Sequence, residues 1–167
     1  MNIKLSATLL SLSIAAVFPA VAQTTDGVEG LEEIVVTARK RQESLQEVPI
    51  AISVMSANDL KNKGVFSTSD LNNSMPGLNV TSSYGETQPN FTLRGIGVGT
   101  EYNSNAASPN GIYVDEVYQS MRASHGQQLY DLEQIEVLKG PQGTLYGRNT
   151  TGGAINFITV KPSMAGE

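Results

Sequence analysis

The chain has 167 residues, a formal net charge of −5 at pH 7, no cysteine and one histidine. The length predicts about one domain, and the acidic balance argues against nucleic-acid binding. The absence of cysteine excludes disulfides, thiolate metal sites and cysteine nucleophiles. A single histidine excludes any site that needs two of them from one chain, and we expect His125 to lie in an exposed loop.

The first 22 residues have the pattern of a secretory signal peptide. Lys4 forms a short positive region, residues 5–17 are mostly apolar, and Ala20-Val21-Ala22 fits a small-residue cleavage site. The apolar run is shorter than the ~20 residues that span a bilayer. We therefore predict a removable signal peptide over residues 1–22 and an exported chain.

Residues 23–44 are predicted to be a flexible arm that contains one strand-forming string. Residues 33–38, called the leading segment below, have high strand propensity and no obvious partner strand nearby. Such a segment can add itself to the sheet edge of another protein, or it can be the ordinary first strand of the domain. Its residues are Glu33, Ile34, Val35, Val36, Thr37 and Ala38.

Residues 45–162 are predicted to form the domain itself, with short helices and strands intermixed. Alternating apolar residues predict a strand over 48–54, and Ser56 and Gly64 are expected to cap a helix over 57–63. Further predicted strands are 78–81, 91–94, 112–114, 117–120, 135–138 and 154–160, with helical segments at 69–74 and 129–132 and a loop over 95–111. Without a clean β-α-β rhythm, this order favours an α+β fold.

Five glycines lie between the last two strands, and we expect some of them to supply positive φ or close backbone approach. They are Gly140, Gly143, Gly147, Gly152 and Gly153. Neither this loop nor the loop from Gly95 to Gly99 matches a phosphate-binding pattern, because no glycine precedes a lysine and Thr100 stands where the dinucleotide pattern needs a small residue. The sequence therefore predicts no nucleotide cofactor.

The sequence also gives no anchor for an enzyme. Glu133 and Glu136 are three residues apart on a predicted strand, so their side chains should point to opposite faces. No G-x-S-x-G elbow occurs. We expect neither catalysis nor a cofactor.

Seven pieces of the sequence, in order, resemble the plug domain of TonB-dependent outer-membrane receptors. They are EIVVTA at 33–38, VPIAISV at 48–54, the MPGLNV segment at 75–80, FTLRG at 91–95, IYVDEV at 112–117, DLEQIEVLKGP at 131–141, and GR at 147–148 with GGAIN at 152–156. Two departures are notable. Glu116 stands where the family usually has glycine, and Gln134 stands where it often has arginine.

The resemblance implies a small mixed sheet of four strands with short helices and long loops, seated in a barrel of about twenty-two strands. The leading segment would be the TonB box, hanging in the periplasm and pairing with the C-terminal domain of TonB. A loop containing Gly97, Gly99, Tyr102, Asn103 and Asn105 would face the imported ligand, a ferric siderophore or similar scarce nutrient. Arg94, Glu136 and Arg148 would form plug ion pairs, with Gly95 and the five loop glycines as hinge glycines.

By this resemblance the chain belongs at the cell outer membrane, on its periplasmic side, as the plug of an active importer. Residues 163–167 would begin a linker to an absent barrel, so we expect a fragment that cannot transport alone. The alternative is a soluble periplasmic adaptor or binding domain that engages TonB without a barrel. A periplasmic hydrolase is the third possibility, and it lacks a nucleophile–base set.

Overall fold

A computed structural model describes residues 33–99 and 106–162 of the chain. The first half contains strands β1 (Val35–Val36), β2 (Glu43–Ser44), β3 (Ile52–Ser56), β4 (Leu78–Thr81), β5 (Ser83–Glu86) and β6 (Asn90–Leu93), with helix α1 (Ala57–Lys63) and a 3-10 turn at Thr68–Leu71. The second half contains β7 (Asn110–Val114), β8 (Val117–Tyr118), β9 (Leu132–Lys139) and β10 (Gly153–Thr159), with a 3-10 turn at Arg122–Ser124 and helix α2 (Gly143–Tyr146). None of the helices in these two ranges is long and apolar enough to cross a membrane.

A five-stranded mixed sheet forms the centre of the domain, in the order β3-β9-β10-β7-β8. Strand β9 runs antiparallel to both β3 and β10, while β10 and β7 are parallel. The predicted α+β class with a small mixed sheet is confirmed. The sheet has five strands rather than four because β8, a strand of two residues, pairs with β7 across a tight turn.

Alternate residues of the two central strands enter two separate apolar clusters. Ile135 and Val137 of β9 and Ile155 and Phe157 of β10 pack on one face, beneath α1 and the β4–β6 pair. Residues of opposite parity, including Leu138 and Ala154, pack on the other face together with residues of the leading segment. Because both faces are covered, β9 and β10 are buried along most of their length, and they form the rigid support for the site described below.

Local sequence signals account for α1. The Ser56 hydroxyl accepts a hydrogen bond from the Asp59 amide, and the Asp59 carboxylate accepts one from the Ser56 amide. Gly64 ends the helix with φ +66°, as predicted. The second predicted helix is only the 3-10 turn at Thr68–Leu71, and the helical turn predicted at 129–132 is absent because Leu132 already begins β9.

The β7–β8 turn has a left-handed backbone at both central residues. Asp115 has φ +45° and Glu116 has φ +69°, a pattern that fits the right-handed twist of a two-residue hairpin. Asp115 accepts hydrogen bonds from the Thr159 amide (2.9 Å) and hydroxyl (2.8 Å), and Glu116 pairs with Lys40. These contacts hold the turn although Glu116 replaces the glycine that would adopt this conformation freely.

Candidate functional site

The leading segment is folded against the domain as one arm of a short hairpin. Strand β1 pairs antiparallel with β2, with Val36 opposite Glu43, and the Leu45 amide donates to the Ile34 carbonyl at 2.9 Å. The prediction of a flexible arm reaching residue 44 is therefore wrong for residues 33–44, while residues 23–32 lie outside the described part. The partner strand went unseen because Glu43–Ser44 has weak strand propensity.

Two side chains of the leading segment anchor it in the second apolar cluster. Val36 and Ala38 are both 0% exposed, and they share this cluster with Tyr113, Leu138 and Tyr146. Val35, on the opposite face of the strand, is 45% exposed, and the docked part begins at Val36, since Ile34 has the same parity but is 43% exposed. Burial of alternate side chains is what a strand docked on one face requires.

The edge of β1 that faces away from β2 is covered by two side chains of β9. The Gln134 amide nitrogen donates to the Val35 carbonyl at 3.1 Å, and the Thr37 amide donates to Glu136 Oε1 at 2.6 Å. Gln134 Nε2 also donates to Glu136 Oε1 at 2.9 Å. Both backbone contacts span 99 residues of sequence, so the end of the leading segment is fixed directly to the central sheet.

Three basic residues in the turn after the leading segment form ion pairs with residues that the structure describes. Arg39 and Arg41 both contact the Glu43 carboxylate, and Lys40 Nζ lies 3.3 Å from Glu116 Oε2. The same ammonium lies 5.0 Å from the ring centroid of Tyr146. The cation–π contact and the ion pair hold Lys40 on the domain.

An open cleft of about 380 Å³ lies beside the capped edge of β1. Its lining includes Val35, Thr37 and Gln134. The remainder of its lining includes Asp115, Glu116, Glu133, Asn156 and Lys161. Its ionisable lining is mostly acidic, with three carboxylates and one lysine.

The base of the predicted ligand loop is held by two asparagine side chains. Asn90 exchanges hydrogen bonds of 3.4 Å with the backbone of Val98, and buried Asn110 donates to the carbonyls of Phe91 and Ile96. Gly97 and Gly99 lie in this described part, whereas Tyr102, Asn103 and Asn105 lie outside it. These hydrogen bonds therefore hold the base of the loop in place.

The glycines predicted as hinges fall into two groups. Gly95, Gly140, Gly147 and Gly153 have positive φ, whereas Gly143 and Gly152 do not. Gly153 is buried at the start of β10, and a Cβ there would overlap the carbonyl oxygen of Leu138. Gly143 is exposed in α2, and a Cβ there would meet open space. The close approach at Gly153 is thus needed to hold β10 against β9.

The family model of the TonB-dependent receptor plug domain matches residues 44–154, about two thirds of the chain. This chain belongs to the TonB-dependent receptor plug domain family. The pesticin receptor of Yersinia pestis is 34% identical over 145 residues, which make up 86% of this chain and 21% of that receptor. The iron-regulated outer membrane virulence protein of Vibrio cholerae is 33% identical over 162 residues, covering 91% of this chain and 24% of that protein.

The fold of this plug domain is similar to part of a solved receptor. The ferric yersiniabactin uptake receptor of Yersinia pestis superposes with a TM-score of 0.61 at 34% identity, covering 68% of this chain and 17% of that receptor. The plug domain described here thus spans about a fifth of the length of the curated relatives it matches.

The predicted plug ion pairs do not form among the residues that the structure describes. Arg94 and Arg148 are exposed and lack an acidic partner there, and Glu136 is 0% exposed and accepts hydrogen bonds instead. Burial raises the pKa of Glu136, and hydrogen bonds from Thr37 and Gln134 act in the opposite direction. A buried carboxylate needs donors, and backbone and amide groups supply them here.

The expectation of an exposed loop histidine is wrong. His125 is only 4% exposed, its Nε2 lies 2.9 Å from the Gln119 carbonyl, and its ring meets Phe91 edge-on. Burial lowers the pKa of His125, which favours the neutral ring. His125 therefore lies in the β8–β9 connection with its ring packed inward against Phe91. No sequence signal near it distinguishes these two placements.

The raised pKa of Glu136 predicts that the free energy of unfolding depends on pH. Its pKa is raised above the ordinary value of 4.5 in the folded state and returns to that value on unfolding. The folded chain binds this proton more tightly, so the stabilisation is fully present below pH 4.5 and is lost as pH rises through the folded pKa. Urea unfolding between about pH 4 and pH 8 measures it, as the difference between wild type and Glu136→Gln. A difference that does not change with pH contradicts the prediction.

Proposed function

We propose that this plug domain is the gating and ligand-contacting module of a TonB-dependent outer-membrane importer. On this proposal the domain lies within a β-barrel of the same receptor, at the outer membrane with the leading segment on the periplasmic side. The periplasmic C-terminal domain of TonB binds the leading segment, and the plug has no catalytic role. The cargo is a ferric chelate such as a siderophore.

The observation that carries the proposal is the direction of the backbone groups in the leading segment. Residues 33–38 contain a strand whose Val35 carbonyl and Thr37 amide point away from β2. Within a strand, the N–H and C=O of one residue point to the same side, so the Val35 amide lies on this outer edge as well. An extended partner can therefore pair there by strand addition, as the TonB box does in this family.

The cargo is proposed from the relatives and from the loop base. One relative is described as an iron-regulated outer membrane virulence protein, and one solved relative as a ferric yersiniabactin uptake receptor. In this chain, Asn90 and Asn110 fix the two ends of the loop that contains Gly97 and Gly99. A loop held at its base can present polar groups to a bound chelate.

Calorimetric titration with a purified TonB C-terminal domain tests the proposal. Proline at Val35 removes the amide hydrogen from the outer edge but leaves the β1–β2 pairing through Val36 in place. We expect Val35→Pro to weaken binding at least about tenfold, and the matched Val35→Ala to change it less than about threefold. Equal affinities for wild type and Val35→Pro would show that TonB does not pair with this strand.

A further inference from the structure

The single histidine of the chain holds the β8–β9 connection closed. His125 Nε2 lies 2.9 Å from the Gln119 carbonyl, and the Gln119 amide donates to the Ile112 carbonyl of β7 at 2.8 Å. A carbonyl oxygen only accepts, so Nε2 of the neutral ring carries the proton and Nδ1 does not. The ring therefore ties the connection to the end of the β7–β8 hairpin.

The same ring also contacts the β4–β6 pair. Its centroid lies 6.3 Å from that of Phe91 on β6, with the ring planes at 61°, and Phe91 is 1% exposed. The Phe91 carbonyl accepts a hydrogen bond of 2.8 Å from the side chain of Asn110, the first residue of β7. His125 thus packs on the residue through which Asn110 joins β7 to β6.

Backbone hydrogen bonds dock the later part of the connection on the segment that follows α1. The Thr68 amide donates to the Gln127 carbonyl at 3.1 Å, and the Leu129 amide donates to the Phe66 carbonyl at 2.8 Å. The Gln127 amide also donates to the Thr68 hydroxyl at 3.3 Å. Because opening of the connection breaks these bonds, exchange of the Thr68 and Leu129 amides reports whether it is docked.

The packing around His125 suits a neutral ring better than a charged one. His125 is 4% exposed and Arg122 is 5% exposed, while β6 presents the apolar ring of Phe91. Burial lowers the pKa of His125, the bond to the Gln119 carbonyl raises it by less, and the Arg122 charge lowers it further. Among the residues described by the structure, no carboxylate acts on this pKa. A protonated ring is therefore more stable in water than in its docked place.

We propose that His125 makes the β8–β9 connection an acid-sensitive latch, in which a proton on the ring releases residues 119–128 from Phe91 and from residues 66–68 while the central sheet stays folded. Well above pH 6.5, the ordinary pKa of histidine, the ring is neutral in both the docked and the open state. As the pH falls below 6.5, the open state binds a proton that the docked state resists. Opening then becomes more favourable by at most about tenfold for each pH unit. The latch is a property of the domain itself and does not depend on TonB or on the cargo.

Glu136 responds to pH in the opposite sense and on the other face of the sheet. Its raised pKa adds stability as the pH falls, whereas the lowered pKa of His125 removes it. Glu136 accepts from the Thr37 amide, so exchange at that amide reports the carboxylate. Exchange at the Thr68 and Leu129 amides reports the histidine, and the two effects are therefore separable by position.

Hydrogen exchange of the 167-residue chain at pH 7.5 and pH 5.5, resolved by NMR and corrected for intrinsic rates, tests the latch. We expect the protection of the Thr68 and Leu129 amides to fall by up to about tenfold at pH 5.5, and that of the β9 and β10 amides not to fall. His125→Gln is the matched variant, because its amide can donate to the Gln119 carbonyl but cannot bind a proton. In His125→Gln the protection of Thr68 and Leu129 should be the same at both pH values.

The histidine ring gives a second, direct readout. The chain has one histidine, so its ring signal needs no further assignment when the protein is prepared without a histidine tag. We expect this signal to titrate with a pKa below 6.5. The latch is overturned if the ring titrates at or above 6.5, if Thr68 and Leu129 are equally protected at both pH values, or if His125→Gln loses the same protection in acid. Should His125→Gln lack the dispersed amide spectrum of a folded chain, the ring titration and amide exchange of the wild type decide between these results.

Discussion

Alanine at Gly153 is expected to destabilise the central sheet strongly. Gly153 opens β10 between Lys139 of β9 and Asn110 of β7, with φ +155°. A Cβ would overlap the Leu138 backbone carbonyl and the Leu93 side chain. The backbone of β9 cannot yield without breaking its ladder to β10, so we expect a loss of at least about 3 kcal/mol. That is a large part of the ~5–15 kcal/mol by which a domain is stable.

The matched control lies in the same glycine-rich loop. Gly143 has an ordinary φ, and a Cβ would contact nothing within 4 Å. Gly143→Ala should therefore stabilise the fold by about 0.5 kcal/mol, because alanine restricts the unfolded chain. Urea unfolding followed by circular dichroism measures both variants. Equal stability of Gly153→Ala and wild type would show that β9 and β10 do not approach as closely as described.

The parts of the fold that follow from local sequence could be predicted. Helix α1 is bounded by Ser56 and Gly64, each of which acts through neighbours a few residues away. The last motifs of the sequence predicted strands at 135–138 and 154–160. The first lies within β9, and the second largely coincides with β10. The fifth strand, β8, lies within the strand predicted at 117–120, although the resemblance implied a sheet of only four strands.

The docking of the leading segment could not be predicted, because it depends on contacts across 99 residues. The string at residues 33–38 identified a strand with a potential partner, but nothing in it shows that Val36 packs in one cluster with Tyr113 and Leu138. Likewise Glu136 was interpreted as one half of an ion pair. A buried carboxylate can equally be stabilised by a backbone amide, and the amide that does so belongs to Thr37. Residue type alone cannot separate these two arrangements.

Aspartate at Val36 is expected to release the leading segment while the rest of the domain stays folded. Val36 is fully buried against apolar side chains, and an unpaired carboxylate there would cost several kcal/mol, roughly 3 or more. The segment avoids this cost by undocking, so the loss of stability cannot exceed the free energy of docking. The cluster formed by Met55, Ile155 and Phe157 lies on the opposite face of the sheet and contains no residue of the segment.

Amide hydrogen exchange distinguishes this local release from global unfolding. In Val36→Asp, protection of the Leu45 amide, which donates to the Ile34 carbonyl, should fall about a hundredfold. The amides of β9 and β10 between Ile135 and Phe157 should keep most of theirs. Val35→Asp is the matched control, since Val35 is 45% exposed and its added charge stays in water. Simultaneous loss of protection in both regions would instead mean that the leading segment and the central sheet unfold as a single cooperative unit, and that a partner cannot engage the segment without opening the plug.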